Sequence, residues 1–248
     1  MNIMKICNVN VEINTEYKLV NHGGFWCQVT CTENMMKDIC DLQRAIKDII
    51  EIFDKNQWFT KLPDYVVVLY SEGNPICLHD DVRIGLHRTD FVFRQDVYQF
   101  THEFTHRCLE QKIPKTYLWF EESICMLITD VCMELLYEKY WKSEPELAKG
   151  IKNFQINNFS YNLPVIFECW LKEASDDKCR EVQNTISRYL DQFIFGNIHI
   201  LKDIQKLPAA ECKNFSEYLK TWNKYLNAER ITLAEAFANV YTMLYQKV

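Results

Sequence analysis

The sequence predicts an α+β fold in which a mixed N-terminal sheet is followed by an all-helical C-terminal lobe. Three observations carry that expectation. Up to about residue 90, apolar residues alternate with polar ones in short β-branched runs. From Asp96 onward they recur every three or four residues. One helix interrupts the strands, and after Asp96 no further strand is expected. Residues 1–112 are expected to form the sheet-containing lobe, ending in one helix, and residues 113–248 the helical lobe, the two making one compact unit.

The strands are expected at "VNVEIN", at "GGFWCQVTC" after a Gly-Gly turn, and at "YVVVLY", which "SEGNP" closes. A fourth, "VRIGLH", spans Val82 to His87. Between the second and third, Thr32 can cap a helix from about Glu33 to Lys55, on which Met36, Ile39, Leu42, Ile46, Ile49 and Phe53 make one apolar stripe. The later helices are expected at 96–111, 117–141, 164–173, 178–195, 200–205, 216–226 and 233–246, with breaks at Pro114, Pro145, Pro164, Gly196 and Pro208.

Composition narrows the function classes. Hydrophobic residues make up 48% and charged residues 25%, as in ordinary globular proteins. With 34 acidic against 28 basic residues, and no run of lysine and arginine to track phosphates, a nucleic-acid partner is not expected. No segment offers the ~18 uncharged apolar residues of a membrane span, so no membrane partner is expected. "MNIMKICNVNVEIN" lacks the apolar centre of a signal peptide, which points to a cytoplasmic protein. The 11 cysteines are odd in number and mostly on apolar faces, so free thiols are expected. Cys27 and Cys31 share one strand face with Phe25 and Val29.

The chemistry concentrates in "HEFTH" and "WFEES". On a helix, residues four apart differ by only about 40° in direction, so His102 and His106 present their imidazoles from adjacent turns. Glu103 cannot share their direction but can flank the site as a proton acceptor. Phe104 and Thr105 face the other way, and Phe104 can anchor the helix. Zinc, the one cofactor expected, needs a further protein ligand. Pro114 ends the helix and permits a tight turn to a second one, capped at Thr116, whose first turns carry Glu121 and Glu122. Either carboxylate is within reach, with Glu122 preferred.

HEFTH followed by WFEES resembles the gluzincin branch of the zinc peptidases over about residues 65–129. Members of that branch read W-x-x-E and then a small residue, which Trp119, Phe120, Glu121, Glu122 and Ser123 match in order. The resemblance implies a zincin-like sheet lobe, one zinc ion on His102, His106 and Glu122, and Glu103 as general base. It implies hydrolysis of peptide or protein substrates, with "VRIGLH" as an edge strand that pairs with extended peptide. Two departures bear on mechanism. Four residues beyond Glu122, where thermolysin-like members place an aspartate behind the first histidine, stands Met126. Where aminopeptidases of the branch hold a glutamate for the substrate amine, "GLHRT" offers Arg88, so cleavage inside a chain is expected over removal of N-terminal residues.

A peptidase also needs a group for the developing oxyanion. Tyr161, Arg180, Tyr189 and His199 are candidates from the helical half, and His87 and Arg88 are candidates for the cleft. The alternative to an enzyme is a non-catalytic zinc-binding relic, or an interaction protein of the same fold. Substrate and oligomeric state are not encoded legibly.

Overall fold

The computed structural model describes residues 2–13, 18–20, 26–28, 33–71, 76–78, 83–87, 93–110, 112–158, 176–194, 196–210 and 212–245. The strands are β1 Asn2–Ile6, β2 Val9–Ile13, β3 Lys18–Val20, β4 Trp26–Gln28, β5 Tyr65–Ser71, β6 Ile76–Leu78 and β7 Arg83–His87. The helices are α1 Glu33–Asn56, α2 Phe93–Leu109, α3 Leu118–Tyr140, α4 Pro145–Asn158, α5 Asp176–Ile194, α6 Phe215–Leu226 and α7 Leu233–Tyr245. Short 3-10 segments cover Lys115–Tyr117 and Ile198–Lys206.

The expected fold class is corrected. The described residues are mostly helical: the helices run from 12 to 24 residues, while the longest strand has seven. Nor does a sheet lobe simply precede a helical one. The chain divides into two compact units, Met1–Glu110 with Cys132–Phe154, and Gln111–Val131 with Gln155–Val248. The second half of α3 and most of α4 thus belong with the strands. The reason lies in α3, on which Phe120, Ile124, Cys125, Leu127, Ile128, Cys132, Met133 and Leu136 are all fully buried. A helix apolar on every side has no single face to assign to one lobe.

In the first unit, five strands lie in the order β1-β2-β5-β7-β6. β1 and β2 form an antiparallel hairpin whose turn residue Cys7 has φ 53°. β2 and β5 are parallel, with Asn10 opposite Tyr65, so the chain must cross over between them, and α1 is that crossover. β5 and β7 are parallel from Val67 opposite Arg83 to Ser71 opposite His87. β6 is antiparallel to β7, with Ile76 opposite Gly85 and Leu78 opposite Arg83. This corrects the expectation for "VRIGLH": β7 is interior, and the edge belongs to β6, too short to announce itself in the sequence. β3 and β4 pair separately.

α1 buries Leu42, Ile46, Ile49 and Phe53 of the stripe read from its spacing, and Ile50 beside them, while the side chains of Met36 and Ile39 lie outside the described residues. Its end is marked by Gln57 in the left-handed region at φ 51°, whose N–H bonds the Phe53 carbonyl at 3.0 Å. α2 packs on α1, β6 and β7. Pro145, expected as a break, instead starts α4, since the first helical position needs no N–H. The helix expected at 164–173 lies outside the described residues.

The second unit is built on aromatic rings. Phe120 meets Phe215, Tyr218, Trp222 and Phe237 at centroid distances of 5.0, 5.8, 5.9 and 4.8 Å. Its helix starts are capped. Asn214 accepts the Glu217 N–H at 2.9 Å, and Thr232 and Glu235 form a reciprocal capping box at 3.1 Å in both directions. Among the described residues, no helix is long and apolar enough to cross a membrane.

Candidate metal centre

α2 has two faces, and its alternation of residue types decides what each does. Val97, Phe100, Thr101, Phe104, Thr105 and Cys108 are buried. Phe104 stacks on Phe100 at 5.4 Å and meets Phe53 of α1 at 5.1 Å, so it anchors the helix as its place in HEFTH suggested. The two buried threonine hydroxyls donate to the carbonyls of Val97 and Thr101, each at 2.8 Å, so both are satisfied within the helix. With this face fixed, His102 and His106 must occupy the other.

The two imidazoles face each other. Their Nε2 atoms are 3.3 Å apart, with ring centroids at 4.9 Å and planes at 73°. Two nitrogens each bonded at 2.0–2.1 Å to one tetrahedral ion lie about 3.3 Å apart, so the spacing is that of a metal-chelating pair. One neutral ring's Nε2–H can donate to the other ring's Nε2, and a shared metal ion would take the place of that proton.

The next segment supplies the third donor. α2 ends at Leu109, and Glu110 turns the chain with φ 48°. Pro114 then opens the 3-10 turn at Lys115–Tyr117, closed by a Tyr117 N–H to Pro114 carbonyl bond of 2.8 Å, and α3 starts at Leu118. One turn into α3, Glu121 and Glu122 diverge: Glu121 is buried, whereas Glu122 is half-exposed. The ligand atoms of His102, His106 and Glu122 all lie within 4.8 Å of one another, and among the described residues they form a group able to hold a metal ion. Two imidazoles and a carboxylate are the donor set of a catalytic zinc site, which keeps its remaining position open. Glu103 stands outside the group, buried at 6% exposure on the adjoining side of α2.

The other candidates are placed as follows. His87 ends β7 and Arg180 lies on α5, with only their backbones described. Tyr189 is half-buried on α5, and His199 is exposed in the 3-10 segment. Arg88 and Tyr161 lie outside the described residues. One neighbour escaped the sequence reading: Tyr98, a turn before His102, lies nearly parallel to its ring at 6.3 Å and 18°. Its only signal was an aromatic residue four positions ahead of a histidine. Met126, where a carboxylate might have backed the first histidine, is buried at 4% exposure.

Seven described cysteines are free thiols, with Cys108, Cys125 and Cys132 buried and Cys7 and Cys40 exposed. Burial pushes the Cys132 thiol far above its ordinary range, so it is an inert core group. Of the pair Cys27 and Cys31, the second lies outside the described residues. Compared with known protein families and with curated proteins, the chain matches none.

Proposed function

We propose that this chain is a zinc-dependent peptidase of the gluzincin type, acting on peptide or protein substrates. The observation that carries the reading is the pair of Nε2 atoms at 3.3 Å on an HExxH helix, with Glu122 in the same cluster. His102, His106 and Glu122 would hold the ion. Bound there, zinc supplies Lewis acidity that makes water a nucleophile near neutral pH and polarises a carbonyl. Glu103 accepts the proton of the attacking water and delivers it to the leaving amine. Its burial keeps bulk water from competing for that proton.

An extended substrate finds its backbone partner in β6, the edge strand against which α2 packs, which favours cleavage within a chain. The free thiols support a reducing, cytoplasmic setting. The test is the zinc content of protein purified without added metal, together with hydrolysis of an unstructured protein. About one equivalent of zinc and chelator-sensitive turnover are expected. Less than about a third of an equivalent, unrecovered on adding zinc, overturns the reading. The buried Met126 favours a second reading, a zinc protein without catalysis, which would give the metal and no turnover.

A further inference from the structure

The histidine-bearing side of α2 holds one more polar group than the proposed chemistry uses. At about 100° per residue, positions 99, 102, 103 and 106 fall within an arc of about 100°, opposite the face on which Val97, Phe104 and Cys108 are buried. Gln99 lies in the middle of that arc, one turn before His102 and Glu103, with its Cβ about 5–6 Å from theirs. Gln99 is only 8% exposed, and among the described residues its Oε1 is shut off from water without a hydrogen-bond partner. The buried hydroxyls of Thr101 and Thr105 on the other face make the contrast, since carbonyls of the helix itself satisfy both. A buried amide oxygen with no donor costs stability, and an apolar side chain of the same length would not. The Gln99 carbonyl is therefore complete only when a donor is brought to it.

A proton that Glu103 takes from water must reach the scissile nitrogen, so in a productive complex that nitrogen stands within reach of Glu103. Helical side chains lean toward the start of their helix, which carries Glu103 over the turn of Gln99. We propose that Gln99 Oε1 accepts a hydrogen bond from the N–H of the peptide bond being cleaved. The proposal rests on the peptidase reading and adds a catalytic residue to it. In the step, the water oxygen bonds to the carbonyl carbon and the C–N bond breaks. The nitrogen leaves as an amine carrying its own hydrogen and the proton passed on by Glu103. The amide N–H is a neutral donor, whereas the nitrogen that has taken up the proton is a cationic one, so its bond to Gln99 strengthens as C–N breaks. An interaction that grows toward the transition state raises kcat more than it lowers KM.

The experiment uses the zinc-loaded full-length protein and two end-blocked substrates spanning a bond it cuts in casein: the peptide, and the ester in which oxygen replaces the scissile N–H. The ester gives Gln99 nothing to accept. Gln99→Met keeps the length of the side chain without the amide. Its kcat on the peptide is expected to fall about tenfold to a hundredfold, with KM on the peptide and turnover of the ester each changed by less than about threefold. Its midpoint in denaturant, measured without zinc, should equal or exceed that of the wild type, because an unpartnered buried oxygen is gone. Gln99→Glu keeps an acceptor of the same reach and should hold the peptide-to-ester rate ratio within about threefold of the wild type. It tests the same bond should Gln99→Met not be obtained in soluble form, and a collapse of its ratio overturns the proposal. An unchanged peptide rate in Gln99→Met, an equal loss on peptide and ester, or a lowered midpoint overturns the proposal and leaves the peptidase reading standing. A wild-type protein that binds zinc and cuts no casein removes both.

Discussion

Two clusters of ionisable groups differ in what completes them. Asp203 is buried at 4% exposure, and its carboxylate accepts from Arg230 Nη2 at 2.5 Å, Arg230 Nη1 at 3.2 Å and the Leu233 N–H at 2.8 Å. Opposite charge and donors meet acceptors, so the cluster is finished by the protein itself. It joins the 3-10 segment at 198–206 to the start of α7. His102, His106 and Glu122 instead gather three groups that all offer electron pairs. A neutral imidazole N–H can join the two rings, and a metal ion bound to all three groups would take its place. A polar cluster that closes on opposite charges is a fastening; one able to take an added ion is a candidate for chemistry.

The sharpest way to break this comparison is Glu103→Gln. The amide keeps the size of the side chain and leaves His102, His106 and Glu122 untouched, but it cannot take a proton. Turnover is expected to fall by about 10²–10⁴-fold while zinc content and thermal unfolding stay as they were. A variant that remains fully active would remove Glu103 from the mechanism.

His106→Ala acts on the metal and not on the proton. If the ~10–16 kcal/mol of a typical zinc site is shared among four ligands, one histidine contributes about 3 kcal/mol, or roughly a hundredfold in affinity. Competition with a chromogenic chelator measures it. In excess chelator the same substitution should lower the unfolding midpoint only by what loss of a buried imidazole costs, less than it does with zinc bound. If the midpoint falls equally with and without zinc, the cluster is a fastening after all.

Asp203→Ala is the mirror experiment. It strips a buried N–H at Leu233 and one partner of Arg230, whose own side chain is 45% exposed and so keeps water as a substitute. Loss of about 2–3 kcal/mol in denaturant unfolding is expected, with zinc affinity unchanged. A change in zinc affinity would mean that the two clusters are coupled.

How much of this was readable in the sequence depends on how local each feature is. His102 and His106 follow from a single helical period, and a carboxylate near them from the short turn at Pro114, while the choice of Glu122 over Glu121 leaned on the resemblance of WFEES to a known motif. α1 was equally clear, because its stripe faces one way. The edge strand was not, since β6 has three residues and no alternation to detect. The division of the chain was misjudged because α3 is apolar all round, and the sequence does not say which neighbours take its second half. The oxyanion group was not legible for a related reason: convergence of distant side chains on one atom is a property of packing, and periodicity carries no trace of it.

The smallest effect sits on α3, two turns beyond Glu122, and separates structural from chemical burial most finely. Asp130 Oδ2 accepts from the Ser187 hydroxyl at 2.9 Å, and Oδ1 is shielded from water. Burial, with help from the Asp191 charge and against the opposing pull of Ser187 and Arg188, holds its carboxyl well above the usual carboxylate range. Between the unfolded and folded values the native state binds the extra proton, so stability falls as pH rises across that window, by at most about 1.4 kcal/mol per pH unit. Below the unfolded value, near pH 4, both states are protonated and the contribution is fully present. Asp130→Asn keeps an acceptor for Ser187 and cannot ionise. It should therefore stabilise the protein above the window and flatten the pH profile, with zinc affinity unaltered. Denaturant unfolding from pH 4 to 8 checks this, and a wild-type profile that rises with pH, unchanged by the substitution, would show that Asp130 is ionised in the native protein.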